Sequence, residues 1–237
     1  MQTSLAELPF ALQHRQSYFR VIATPETTVK LYYNPYACSL APAIAAAELN
    51  LDLDLVFVDI LKDPHRLIDG TDYRTINARS YVPMLELDNG ARMSEVAVIL
   101  QYLADHNPGT LAPAAGTAER YEFQEWLNFI GTELHKFYSP WLFHPEVGAT
   151  AQDYARAKIA GRYQLIDAHL AEHDYVFGDS FGVADAYLFV PVNWADFAKT
   201  PLDAYPNIRA WFERVTARPA VQQALSRHTV TPKQLAA

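Results

Sequence analysis

The chain has 237 residues, half of them apolar and 13% aromatic against 19% charged, the composition of a compact folded protein rather than a disordered one. Its formal charge of −8 comes without a basic run, which removes the electrostatic term that dominates nucleic-acid binding, and no apolar run approaches the roughly 18 residues a membrane helix needs. The single cysteine, Cys38, leaves no internal disulfide to form, so the chain reads as soluble and cytoplasmic.

Residues 1–28 read as an N-terminal extension. Glu7, His14, Arg15 and Arg20 interrupt it, so it lacks the apolar core of a signal peptide. Leu5, Leu8, Phe10 and Leu12 allow a short amphipathic arm, a floppy extension ending at Pro25 fits equally, and no function is assigned.

From Val29 the signals sharpen. "VKLYYN" is rich in β-branched and aromatic residues, Pro35 breaks it, and "SLAPAIAAAELN" carries an alanine-rich helical pattern. Pro42 is compatible with a first helical turn, whose amides have no intrahelical partner. "LDLDLVFVDI" then reads as a buried strand, completing a parallel βαβ unit. A loop and short helix are expected across residues 64–76. "YVPMLELDNGARMSE" reads as a hairpin about Asp88-Asn89-Gly90. In "SEVAVILQYLADHNPG", Ser94 is a cap, Val96, Ile99, Leu100 and Leu103 form the apolar face, and Pro108-Gly109 is the stop. After a linker, helical periodicity takes over from Thr117.

The fold class expected is therefore an α/β thioredoxin-like N-terminal domain (βαβαββα) plus an all-α C-terminal domain. Its limits are 29–108 and 117–228, joined by a linker at 109–116 and followed by a tail at 229–237. Val82-Pro83 stands where the thioredoxin-like arrangement carries a cis bond. With that geometry the Val82 backbone would sit at the sheet edge, able to pair with an extended peptide.

Cys38 falls between the first strand and the first helix, where unpaired amides and the helix dipole favour a thiolate; the competing reading is a small apolar filler. Ala41 stands three places on, so a dithiol C-x-x-C cycle is excluded. Further along, Phe123, Leu127, Ile130 and Leu134 make one apolar stripe of a long helix. Asn128, Thr132 and His135 make a polar line on another face, either a solvated surface or a set able to touch a polar ligand and poise a thiol. His169 and His173 have the i, i+4 spacing of a metal pair but no third ligand, so no metal site is assigned. Papain-like signatures around Cys38 and phosphate-binding glycine loops are absent. Gly182 to Asp185 mark a helix start, a folding signal rather than a chemical one.

Over residues 29–228, "LYYNPYACSLAP", "TELHK" and "ADAYLF" together resemble the glutathione transferases, specifically the bacterial beta class. The resemblance implies glutathione as co-substrate, a small apolar electrophile as second substrate, a homodimer, and no metal. It implies that Cys38 contacts the glutathione sulfur and can form a mixed disulfide with it. His135 would be its neighbour across the cleft, and Tyr33 a catalytic tyrosine less decisive in this class. The glutathione-binding set is Cys38, Lys62, Val82 (through its backbone), Ser94 and Glu95 (holding the γ-glutamyl end), Asn128, Thr132 and His135. Trp194 is a candidate for the electrophile pocket. The chain departs from the family pattern at Asn77-Ala78-Arg79-Ser80, where Asn-Pro-x-Gly is common, at Val96, where a small residue is usual, and at Tyr36, where glycine is common. The activity implied is conjugation of glutathione to electrophiles, with thiol-disulfide exchange through Cys38 beside it. The alternative is a non-catalytic adaptor of the same fold that binds a protein partner.

Overall fold

The computed structural model describes residues 29–35 and 37–229; the readings made of residues 1–28, Tyr36 and residues 230–237 lie outside the described residues. Strands β1 (Val29–Tyr33) and β2 (Leu53–Asp59) pair in parallel, Val29 opposite Leu53 through Tyr33 opposite Phe57, with helix α1 (Leu40–Glu48) as the crossover. Period-2 alternation in β1 sends Val29, Leu31 and Tyr33 into the main core with α1, and Tyr32 into a smaller core with Val58, Tyr73 and Met84 on the other face.

The segment at 64–76 keeps only a 3₁₀ turn of its expected short helix and adds a strand. Arg66–Leu67 forms a short strand, β3, antiparallel to β2, and Tyr73–Thr75 a 3₁₀ turn capped by the Asp72 side chain. Its amides serve the strand edge and a tight turn, Leu67 N donating to Thr71 O and Tyr73 N to His65 O, leaving too few for an α-helical ladder. Tyr73 then covers the face together with Leu67 and Ile76, packed on Tyr32 at 5.6 Å.

Strands β4 (Met84–Glu86) and β5 (Arg92–Ser94) make the expected hairpin, in which Gly90 turns at φ +80°. The sheet order is β3-β2-β1-β4-β5. Helix α2 (Val96–Ala104) follows, and its cap corrects the sequence reading: Ser94 is held in the β5 ladder opposite Met84, so the turn falls on Glu95, which takes φ +73°.

The second half is helical: α3 (Ala118–Asn128), a π-helical stretch Phe129–His135, α4 (Lys136–Leu142), α5 (Ala149–Leu170), α6 (Val183–Asn193), α7 (Ala195–Ala198), α8 (Pro206–Thr216) and α9 (Pro219–Arg227). Phe123, Leu127, Ile130 and Leu134 are all buried, as the stripe requires. Arg120 is buried at the start of α3 and donates to Asp105 beyond α2, to the Gln101 side chain and to the Pro113 carbonyl, tying the two halves together. At α6, the Asp185 carboxylate accepts from Gly182 N, Val176 N and Trp211 Nε1. Only glycine fits at 182, because a Cβ there would lie 2.9 Å from the Leu111 carbonyl oxygen.

Candidate active site

Cys38 is fixed by the residues on either side of it. Asn34, buried at the end of β1, donates its side-chain amide to Val58 O at 2.9 Å, and the Ser39 hydroxyl bridges the Asn34 amide and carbonyl, each at 3.1 Å. His228 Nε2 closes on the same hydroxyl at 3.0 Å from just beyond α9. The loop is thereby pinned by side chains, and Ser39 does not cap α1.

The thiol of Cys38 points at the Val82 carbonyl, Sγ to O 3.6 Å. Val82-Pro83 is cis, as expected of the thioredoxin-like arrangement. The sheet-edge expectation is corrected: β4 lies inside the sheet between β1 and β5, and Val82 sits just before β4, at the end of the sheet. Tyr81 O accepts from Tyr73 Oη and from Asn77 Nδ2, and His65 Nδ1 lies 2.8 Å from Ser80 O. Ser80 takes φ +58°, which explains why glycine is common at that place in the family pattern: it is a left-handed position that serine occupies under strain.

His135 ends the π-helical stretch, buried, with Nδ1 2.9 Å from the Tyr187 hydroxyl of α6 and its ring against Trp194 at 5.3 Å. Gly131 makes room for this pair, since a Cβ there would come within 3.1 Å of the Tyr187 hydroxyl. The π turn also breaks the polar line. Its wider repeat turns His135 inward, while Asn128 and Thr132 stay exposed and are occupied by their own helix, Asn128 Nδ2 donating to Gln124 O and Thr132 Oγ1 to Asn128 O.

Electrostatics join the two halves. Burial pushes the Cys38 thiol up to about 12, against the opposing pull of a backbone hydrogen bond and the Lys136 cation, with Glu95 adding to the rise. Of the two readings open to Cys38, desolvation favours the protonated thiol, outweighing the helix start. Burial, with Lys136 adding, lowers His135 to about 4, so its imidazole is neutral at pH 7. The Tyr187 hydroxyl is raised by burial and by the fields of Cys38 and Glu95. Cys38, Glu95, Lys136 and the His135–Tyr187 pair therefore lie within electrostatic reach of one another. Glu95 is exposed and ion-paired with Arg79 at 3.3 Å, and Ser94 adjoins it.

Two expected residues stand apart. The Tyr33 hydroxyl donates to Thr229 O at 3.1 Å and its ring packs on Phe57 and His228, on the α1 face of the sheet. Lys62 is exposed and pairs with Asp59. Tyr187, Lys136, Ser39 and His228 were not singled out from sequence. Tyr187 lies inside the quoted "ADAYLF", but nothing in its spacing says that it meets a histidine 52 residues earlier.

A thioredoxin-like sheet joined to an all-helical domain is the architecture of the glutathione transferases. Residues 129–219 match the family described as glutathione S-transferase, C-terminal domain. The chain is 41% identical to glutathione S-transferase GstA of Escherichia coli O157:H7 over 200 residues, covering 84% of this chain and 98% of that protein. Among solved structures it is similar to the bacterial transferase BphK in a ternary complex (42% identity, 85% and 100% of the two chains, TM-score 0.81). It is likewise similar to the beta-class glutathione S-transferase of Sphingomonas chungbukensis (37%, 85% and 100%, TM-score 0.80). The chain belongs to the glutathione S-transferase family, on the bacterial beta-class side, and is an enzyme; the adaptor alternative is set aside by this kinship with catalytic transferases.

Proposed function

We propose that the protein conjugates the thiol of glutathione to small apolar electrophiles as a cytoplasmic homodimer. Residues 29–108 would bind glutathione and residues 117–228 would shelter the electrophile, near Trp194. The observation that carries this reading is the convergence of Cys38, the Val82 carbonyl and Glu95 from the sheet domain on the His135–Tyr187 pair and Lys136 from the helical one.

In this reading Val82 pairs by its backbone with the cysteinyl part of glutathione, and Ser94 and Glu95 take the γ-glutamyl end, Glu95 through the ammonium. Asn128, Thr132 and Lys62 make further contacts along the tripeptide, and Tyr33 has the structural part of tying β1 to the chain beyond α9. With its proton retained, the Cys38 thiol donates a hydrogen bond to the glutathione sulfur rather than attacking it, and neutral His135 and Tyr187 add polar groups in a dry cleft. Favouring the thiolate of glutathione by two pKa units needs only about 2.7 kcal/mol, which one or two charge-assisted hydrogen bonds supply. Thiol exchange is the slower activity: Cys38, once deprotonated, attacks oxidised glutathione, forming a protein–glutathione disulfide and releasing one glutathione thiolate.

Calorimetric titration of glutathione into wild type and Cys38→Ala, followed by intact mass after exposure to oxidised glutathione, tests both parts. Binding to both proteins, with a one-glutathione mass gain on wild type alone, is expected; binding to neither overturns the transferase reading.

A further inference from the structure

His135 and Tyr187 meet by one hydrogen bond whose direction decides what the histidine can offer. Nδ1 of His135 lies 2.9 Å from the Tyr187 hydroxyl, and both side chains are buried. Among the described residues the hydroxyl has no other hydrogen-bond partner. Were Nδ1 to carry the ring proton and donate it to the hydroxyl oxygen, the tyrosine O–H would be a buried donor with no acceptor, which costs more than an unused oxygen lone pair. The hydroxyl therefore donates and Nδ1 accepts.

The proton inventory of the ring does the rest. Burial keeps the imidazole neutral at pH 7, and a neutral imidazole carries one proton, so an accepting Nδ1 places that proton on Nε2. The tyrosine keeps its own proton, since burial, then the fields of Cys38 and Glu95, raises its pKa. Nε2 has no hydrogen-bond partner among the described residues, yet it is not sealed off in the way that His228 Nδ1 is, so it stands as an open donor. Packing holds the ring in this setting. Tyr187 stands edge-on to it at 5.7 Å and Trp194 lies against it at 5.3 Å. Glycine at 131 leaves the hydroxyl its place, which a Cβ would approach to 3.1 Å. The helix that carries Tyr187, α6, packs on α1 beside Cys38 as well as on the π-helical stretch, so both sides of the cleft share one support.

We propose that Tyr187 is a positioning residue: by donating to Nδ1 it holds His135 in the tautomer whose Nε2–H faces the cleft and donates to the glutathione thiolate. The thiolate contact rests on the transferase reading, while the tautomer belongs to the ligand-free protein. The test therefore has two readouts. In protein carrying isotope-labelled histidine, nitrogen NMR tells a protonated ring nitrogen from a bare one, the His135 signals being those missing from His135→Asn. A bare Nδ1 and a protonated Nε2 are expected in ligand-free wild type at pH 7; a protonated Nδ1 overturns the proposal. This readout needs no glutathione, whereas failure of wild type to bind glutathione would overturn the transferase reading beneath the thiolate contact. Tyr187→Phe, which removes one oxygen and keeps the ring packing, should mix the two tautomers. It should also raise the ionisation of bound glutathione, followed by its ultraviolet thiolate band, by about one pH unit, the worth of one hydrogen bond to a charged sulfur. An unchanged tautomer, or an unchanged ionisation of bound glutathione, in Tyr187→Phe overturns the proposal as well.

Discussion

A thiol at a helix start is drawn toward its anionic form, yet Cys38 is held well above its ordinary range because the cleft removes the water that a thiolate needs. Alkylation of the ligand-free protein by iodoacetamide should therefore be slow at pH 7 and rise about tenfold per pH unit past pH 9 without a plateau, since the thiolate fraction keeps growing up to about pH 12. A plateau near pH 8 would show an exposed, activated thiol. The same cause decides what the sequence left open. Position along the chain, at the mouth of a helix, was legible in "NPYACSLAP", but the carbonyl it meets at Val82 and the fields it shares with Lys136 and Tyr187 come from residues 44 to 149 positions away. His135 was legible as a polar group on a long helix. Its inward turn was not, because the π stretch has no signature in the apolar spacing that Phe123, Leu127, Ile130 and Leu134 display.

The elements divide in the same way. The parallel βαβ unit, the Gly90 hairpin and the helical second half were written in local patterns, and each formed. In the segment at 64–76 the short helix is reduced to the 3₁₀ turn Tyr73–Thr75, and the strand Arg66–Leu67 went unread, because its amides are claimed by β2 and by its own turns. The start of α2 was misplaced by one residue because ladder pairing with Met84 outranks the capping preference of Ser94. The signal at Gly182 to Asp185 was read correctly as a folding device, and the structure adds its reach. One carboxylate satisfies the Gly182 and Val176 amides and the Trp211 indole, joining the loop before α6 to α8. Asp185→Ala leaves three buried donors without an acceptor and should cost about 3 kcal/mol or more, read as a lower denaturant midpoint with an unchanged slope. Asp185→Asn should cost less, since it keeps an acceptor oxygen.

At the scale of the whole molecule, stability should fall in acid. His135 and His228 are both buried and lowered to about 4, so the fold prefers them neutral. That preference is fully present above the unfolded value of about 6.5 and is lost as pH falls toward 4, worth roughly 3 kcal/mol for each group. Asp185 runs the other way: its carboxyl is raised to about 6, first by desolvation, so its protonation between pH 6 and 4 returns part of the loss. Denaturant titrations should show net destabilisation from pH 6.5 to 4.5, smaller than the two histidines alone would give; a flat profile would mean that these imidazoles are solvated.

The central claim is that the cleft stabilises the thiolate of glutathione while Cys38 keeps its proton. The most direct measurement is the ultraviolet thiolate band of glutathione bound to wild type and to Cys38→Ala, followed against pH. The account predicts that bound glutathione ionises at least one pH unit below free glutathione in both proteins, with a smaller shift in Cys38→Ala, which has lost one donor. An unshifted ionisation in wild type, or a band belonging to Cys38 itself, would contradict it.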